Sequence, residues 1–191
     1  MNRLRSSPEA PVCRLRDVRR DEIGEVAEIW RSGTLEVHPL HSQRADPGHW
    51  RRGVERWLVP RCELIVAVAA ERVLGFAALV EDEDYLDQLY VRKSAWSRGV
   101  GSALLAEAQR RRPDGLELHV LAHNQRALRF YRRHRFRVVG WGFSRDEHLP
   151  DLELRWRADD GPGVAECESP GTPRSPPPWT TRKSSTRSPR R

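Results

Sequence analysis

Apolar residues between positions 12 and 157 switch repeatedly between strand-like and helix-like spacing, and this alternation constrains the fold most strongly. Apolar runs at 63–70 and 72–80 are typical of a β-hairpin, and a third run at 85–91 leads into a helical pattern over 99–112. The complete predicted order is β-α-α-β-β-β-α-β-α-β-β. This order predicts a single-domain α/β fold with a mixed, mostly antiparallel sheet flanked by helices.

The predicted helix boundaries follow from capping and breaking residues. Asp21 is the expected N-cap of the first helix, Pro60 is expected to end the second, and Asn124 to cap the last. From about residue 158 the chain is rich in Pro, Ser, Gly and Arg, with almost no aliphatic residues to offset the ordering entropy. We therefore expect a folded domain over 12–157, with disordered segments at 1–11 and 158–191.

Composition narrows the possible classes of protein. No run approaches the roughly 20 apolar residues that span a bilayer, and the N-terminus lacks the apolar segment of a secretory signal. Three cysteines without metal-type spacing favour reduced thiols in a cytoplasmic protein.

The net charge of +7 raises the alternative of a nucleic-acid-binding protein. Only Lys93 and Lys183 are lysines, so 32 of the 34 basic residues are arginine, which indicates a general bias and not a selected patch. The arginine run 110–112 is interpreted as a solvated helix end.

The segment Trp96–Gly101, between the third apolar run and its helix, has the composition of a phosphate-binding loop. Gly99 and Gly101 let backbone N–H groups approach an anion, the helix N-terminus adds positive potential, and Arg98 adds a charged donor. Short Gly-x-Gly loops also occur at ordinary strand–helix junctions, so the motif alone leaves both interpretations open.

A second pattern downstream changes that balance. Asn124, Ala127, Phe130 and Tyr131 follow the spacing N-x-x-A-x-x-F-Y, and Phe136 comes shortly after them. With the loop, this pattern resembles the GCN5-related N-acetyltransferases over nearly all of 12–157. The resemblance implies an acyl-CoA N-acyltransferase type of fold and an enzyme that moves an acetyl group directly from acetyl-CoA to an amine of a small molecule or protein.

The resemblance also implies roles for individual residues. The backbone of Leu89 and Val91 would hydrogen-bond the donor, and Tyr131 would reprotonate the departing CoA thiolate. The other residues that would bind the donor are Arg98, Gly99, Val100, Gly101, Ser102, Asn124 and Ala127. Tyr131 would bind the donor in addition to its catalytic role. Each of two residues also has a purely structural interpretation: the Tyr131 ring packs in the core, and Asn124 caps its helix.

Two positions depart from the family pattern. Trp96 stands where the family usually has Gln or Arg, and Arg135 stands where a glycine normally precedes the late Phe136. Such a glycine often supplies a left-handed helix end, so a non-glycine there costs about 1 kcal/mol.

The general base has several candidates. Asp87 is the nearest carboxylate on the strand before the loop, with Tyr85 on the same face by two-residue alternation, although Asp87 is equally well explained as a solvated residue. Glu147 and His148 are alternatives. The acidic run 81–87 would attract a cationic acceptor or simply form a solvated turn.

Other ligands and partners are less defined by the sequence. The spacing of His38, His41 and His49 is not that of a metal site, so no metal is expected. A non-catalytic acyl-CoA-binding module remains the alternative to an enzyme. The expected partners are acetyl-CoA and an amine acceptor, with no membrane, and a homodimer stays open.

Overall fold

The computed structural model describes residues 13–38, 46–144 and 148–159. Apart from Ala158 and Asp159, the two segments predicted to be disordered lie outside the described residues, as do His41, Glu147 and Cys167. None of the helices in the described ranges is long and apolar enough to cross a membrane.

The described elements follow the predicted order and confirm the mixed α/β class. The strands are β1 (Arg14–Asp17), β2 (Cys62–Ala69), β3 (Arg72–Val80), β4 (Leu86–Val91), β5 (Leu116–Leu121), β6 (Arg137–Ser144) and β7 (Leu149–Trp156). The α-helices are α1 (Ile23–Val37), α2 (Pro47–Gly53), α3 (Val100–Arg111) and α4 (Gln125–Arg133). A π-helical turn, Val54–Leu58, continues α2. The strands form two sheets, ordered β1-β2-β3-β4 and β5-β7-β6.

The chain divides into two compact units. The first unit contains the described residues up to Leu118 together with Arg157–Asp159, and the second unit is His119–Trp156. All neighbouring strands of the first sheet pair antiparallel, as do β6 and β7 of the second.

The first unit buries its sheet on both faces, which explains why β2 and β3 are almost continuously apolar. One face packs against apolar residues of α1, α2 and the π-helical turn, with Phe76 fully buried among them. The other face packs against α3, where the close approach depends on Gly75. A Cβ on Gly75 would lie 2.7 Å from the Tyr90 carbonyl oxygen and 3.1 Å from Leu104 Cδ1.

The predicted capping role of Asp21 is wrong. A 3₁₀ turn, Arg20–Glu22, precedes α1, and Asp21 lies exposed inside that turn. Glu22 stabilises this end instead, because its carboxylate accepts the Arg19 N–H at 2.8 Å and pairs with the Arg16 guanidinium. In a capping box the carboxylate at the third position of the turn accepts the N–H of the N-cap residue, and Glu22 does this for Arg19.

The arginine run at the end of α3 is only partly solvated, which corrects the expectation. Arg110 is exposed, but the Arg111 and Arg112 side chains are only 19% and 14% exposed. Arg111 pairs with Asp17 and Glu63, and Arg112 also pairs with Glu63. These pairs attach the C-terminal end of α3 to β1 and β2.

The second unit contains the predicted left-handed residue. Arg135 has φ 65° and ends α4 in a Schellman motif, in which Phe136 N–H donates to the Tyr131 carbonyl and Arg135 N–H to the Arg132 carbonyl. The Tyr131 and Phe136 rings pack with their centroids 5.4 Å apart, which is the hydrophobic contact that accompanies this motif. The expected left-handed conformation at Arg135 is therefore confirmed.

Candidate active site

The loop between β4 and α3 has the backbone geometry of an anion-binding loop. Ser97 and Gly99 both have left-handed φ angles, 59° and 82°, and residues 97–99 are exposed. Gly99 is the N-cap of α3, and no side chain accepts a hydrogen bond at this helix start. The first N–H groups of a helix have no intrahelical acceptor, so those of Val100 and Gly101, with the positive end of the helix dipole, can bind an anion at this exposed junction.

The end of β4 turns backbone polar groups away from its partner strand. Arg92 N–H donates to the Leu74 carbonyl on the β3 side at 2.7 Å. Because backbone groups alternate along a strand, the N–H and C=O groups of Leu89 and Val91 point the other way. β4 is the last strand in the order of the first sheet, so these groups lie on an edge to which an extended ligand can add.

The contacts of the Trp96 side chain account for a tryptophan at the position where the family usually has Gln or Arg. Its indole Nε1 donates to the Val91 carbonyl at 2.7 Å, and the Lys93 ammonium lies 5.6 Å from its ring centroid. The indole therefore fastens the start of the loop to the end of β4. The sequence alone did not indicate this hydrogen bond, because it depends on how the chain turns after the strand.

Asp87 occupies a β-bulge, which interrupts the simple alternation assumed for Asp87 and Tyr85. Ala78 pairs with Gln88 and Leu79 pairs with Leu86, so Asp87 is the extra residue on β4. Its side chain is half-buried, and Gln88 Nε2 donates to Asp87 Oδ2 at 3.2 Å. Burial raises the pKa of Asp87 above its ordinary value, with the Gln88 hydrogen bond opposing that shift. A carboxylate of raised pKa accepts a proton more readily.

The Cys62 thiol is influenced by the charge of Asp87 and is unreactive as a nucleophile near neutral pH. Burial, followed by the charge of Asp87, raises the pKa of the Cys62 thiol to about 12. The thiol therefore stays protonated near neutral pH, where nucleophilic chemistry would need the thiolate.

Helix α1 packs closely against β4 at Tyr90. A Cβ on Gly33 would lie 2.1 Å from Tyr90 Cδ1, and the Thr34 and Tyr90 hydroxyls are 3.3 Å apart. Gly33 therefore permits the contact between the helix and the strand. The isolated glycine in a helical pattern was the available signal for this contact.

The second unit holds the downstream motif. Asn124 Oδ1 accepts the Ala127 N–H at 3.1 Å, which confirms its predicted capping of α4. Tyr131 is buried, and its ring packs edge-to-face against Phe130 and Phe136 at 5.2 and 5.4 Å. The core position considered for the Tyr131 ring is therefore present, and the role of its hydroxyl stays a prediction.

The remaining candidates are dispersed. His148 is exposed with φ 55°, and His49 packs against the Trp50 and Trp57 rings. His38 is buried at the end of α1, where its N–H donates to the Thr34 carbonyl. Across the described ranges, His, Cys, Asp and Glu side chains form no group suited to a metal ion.

Comparison with known proteins identifies the family. The model of the Acetyltransferase (GNAT) family matches residues 23–136, more than half of the chain. Peptidyl-lysine N-acetyltransferase YiaC of Escherichia coli (strain K12) is 28% identical over 145 residues, which cover 74% of this chain and 95% of that protein.

Solved structures agree with this match. The apo-form of YjaB from Escherichia coli has a TM-score of 0.59 and 27% identity, covering 75% of this chain and 97% of that one. Arabidopsis thaliana NAA60, in complex with a bisubstrate analogue, has a TM-score of 0.58 at 20% identity, covering 76% and 98%. The chain belongs to the GNAT family and is an N-acetyltransferase that uses acetyl-CoA as its acyl donor. The loop and the β4 edge expose backbone groups of the kinds that can bind a phosphate and an extended amide-containing chain.

Proposed function

We propose that the acceptor is the side-chain amine of a lysine in a protein substrate. The observation that carries the proposal is the similarity to a peptidyl-lysine N-acetyltransferase along 95% of that protein's length. Two features of the first unit support it. The exposed acidic turn 81–84 favours approach of a cationic side chain, and Asp87 follows that turn on β4.

Donor binding is assigned to the loop and to β4. The α3 N-terminus with Arg98, Gly99, Val100, Gly101 and Ser102 binds the pyrophosphate, and the backbone of Leu89 and Val91 binds the pantetheine arm and the acetyl carbonyl. The acetyl oxygen is an acceptor and needs a donor, which is the Val91 N–H, while the Val91 carbonyl accepts the Trp96 indole N–H. A donor at that oxygen favours attack by an amine.

Two side chains are assigned the proton transfers. Asp87 Oδ takes a proton from the lysine ammonium, directly or through water, because the neutral amine is the nucleophile. Tyr131 Oη returns a proton to the CoA thiolate. Asn124 and Ala127 hold the start of α4, the helix that carries Tyr131.

A peptide assay tests the acceptor. The protein is incubated with acetyl-CoA and three acceptors, namely an Nα-blocked lysine peptide, a lysine-free peptide with an α-amine, and spermidine, and products are read by mass spectrometry. Acetylation of the blocked lysine peptide is expected, and acetylation of only the other two would overturn the lysine assignment.

Gly99→Glu should abolish acetyl-CoA binding by adding bulk and negative charge, and unchanged affinity would overturn the loop assignment.

The base assignment predicts a pH effect. Asp87 must be ionised to accept a proton, so wild-type kcat/KM should fall as pH is lowered through its raised pKa. Asp87→Asn should lower kcat by about 10²- to 10⁴-fold and remove that acid limb. The control Asp114→Asn changes an exposed carboxylate outside the acidic turn and should keep the wild-type profile. An unchanged profile in Asp87→Asn would assign the base elsewhere.

A further inference from the structure

The Val91 backbone is anchored on its β3 side through the next residue, Arg92. Arg92 N–H donates to the Leu74 carbonyl at 2.7 Å, and Arg92 Nε donates to the Val73 carbonyl at 2.6 Å. The same guanidinium pairs with Glu25 of α1 at 2.7 Å, and the Arg92 side chain is only 19% exposed. These bonds fix the peptide that follows Val91 against β3 and α1.

Trp96 supplies a second anchor, on the side of β4 that faces away from β3. In an extended strand the N–H and C=O groups of one residue point to the same side. The Trp96 indole Nε1 donates to the Val91 carbonyl at 2.7 Å, so the indole lies on that side, next to the Val91 N–H. Val91 is therefore held from both sides, and the direction of its N–H is fixed.

The indole hydrogen bond is the stronger of the contacts that hold the Trp96 side chain. The Lys93 ammonium is 5.6 Å from the centroid of the Trp96 ring and 3.1 Å from both Glu36 carboxylate oxygens. The Lys93 and Glu36 side chains are 72% and 46% exposed, and ion pairs as exposed as this one contribute little because water screens them. The Trp96 side chain is half-buried, and a hydrogen bond is stronger there than in water. We therefore expect the indole N–H, and not the contact with Lys93, to hold Val91.

We propose that Trp96 is a positioning residue for acetyl transfer, whose indole N–H holds Val91 so that the Val91 N–H points at the acetyl oxygen. This role rests on the proposed function, in which the Val91 N–H binds that oxygen. Negative charge develops on the acetyl oxygen when the amine attacks, and a donor that is already aligned stabilises this charge best. A misplacement of about 1 Å can cost about 10²-fold in rate.

The positioning role predicts an effect on turnover without a matching effect on CoA binding. The pyrophosphate is assigned to the start of α3, which begins at Val100, whereas the indole hydrogen bond lies at the other end of the loop. CoA lacks the acetyl oxygen, so its affinity should depend little on the alignment of the Val91 N–H. Loss of the indole N–H should therefore lower kcat and leave the affinity for CoA nearly unchanged.

Two substitutions separate the indole N–H from the indole ring. Trp96→Phe keeps an aromatic ring and removes the donor, so kcat should fall about 10- to 100-fold. Trp96→Gln removes the ring and offers an amide N–H at similar reach, so its kcat should lie within about threefold of the wild type. In both variants the dissociation constant for CoA, measured by isothermal titration calorimetry, should change less than about threefold. The control Trp57→Phe changes a tryptophan of the first unit that is 53% exposed and should match the wild type in both measurements.

The assay is arranged so that a wrong acceptor and a wrong role for Trp96 give different results. Turnover is measured by thiol release with whichever acceptor of the peptide assay the wild type acetylates fastest, so it does not depend on the lysine assignment. Gly99→Glu tests the loop separately.

Three results overturn the positioning role. The first is an unchanged kcat in Trp96→Phe, and the second is a Trp96→Gln variant that is no faster than Trp96→Phe. The third is a joint loss of kcat and CoA affinity in Trp96→Phe, because Trp96 would then shape the loop as a whole. Thermal melting of each variant establishes that it is folded.

Discussion

At the residue scale, Arg135 holds a backbone conformation that favours glycine. Its φ of 65° costs about 1 kcal/mol relative to glycine, and the Schellman hydrogen bonds around it fix that conformation. Arg135→Gly should therefore stabilise the protein by up to about 1 kcal/mol in urea unfolding. Arg135→Ala keeps the Cβ and should give no such gain. Equal stability of the two variants would show that the gain does not come from relief of the left-handed backbone.

Gly75 makes the opposite prediction, because there the missing side chain permits contact. A methyl group would press on the Tyr90 carbonyl oxygen, and backbone cannot move aside cheaply. Gly75→Ala should destabilise the protein by about 1–3 kcal/mol. The control Gly24→Ala lies in α1 with nothing within 4 Å of its Cβ and should stabilise by about 0.5–1 kcal/mol. Thermal melting compares them, and a neutral Gly75→Ala would contradict the close approach.

At the element scale, the β2–β3 hairpin closes through an unfavourable dipeptide. Ala69 pairs with Arg72, and the two loop residues, Ala70 and Glu71, have φ 48° and 58°. Two-residue hairpin loops with both φ angles positive prefer Asn-Gly. The double change Ala70→Asn with Glu71→Gly should stabilise the protein by about 1 kcal/mol in urea unfolding, whereas Glu71→Ala should not. Loss of stability in the double variant would contradict this turn geometry.

At the scale of the whole molecule, 34 basic and 27 acidic side chains make the placement of ion pairs important for acid stability. Glu107 is the clearest case among the described residues. Hydrogen bonds from Arg110 and then Arg111 lower the pKa of Glu107 to about 2, and its side chain is only 16% exposed. Because the folded pKa is depressed, Glu107 contributes stability above its unfolded pKa of about 4.5, and that contribution is lost as pH falls toward 2.

Glu107→Gln should therefore destabilise the protein at pH 7 by about 1–3 kcal/mol. The difference from the wild type should shrink as pH falls below about 4.5. Glu28→Gln is the matched control, since Glu28 pairs with Arg31 at the same spacing but is half exposed and should cost less than about 1 kcal/mol. Urea unfolding at pH 7, 5 and 3 measures both. A Glu107→Gln penalty that is independent of pH would show that the carboxylate charge is not the cause.

The features of the site that the sequence predicted depend on residues close together in the chain, whereas the features it did not predict depend on contacts between distant segments. The loop glycines, the Asn124 cap and the left-handed Arg135 were predictable because each depends on a few neighbouring residues. Three other features were not predictable from the sequence: the Trp96–Val91 hydrogen bond, the bulge at Asp87 and the Gly33–Tyr90 contact. Each of these depends on register or packing between segments that local sequence patterns do not specify.

The sequence by itself determined the order of the elements, the mixed α/β class and the residues of both family motifs, because apolar periodicity and turn chemistry act over a few residues. Tertiary structure decided which charges are buried, as Arg111 and Arg112 show by pairing with β1 and β2 instead of remaining solvated. It also decided that β6 is an open edge with an aromatic face. Burial and edge position are properties of strand order, and strand order depends on contacts between residues far apart in the chain.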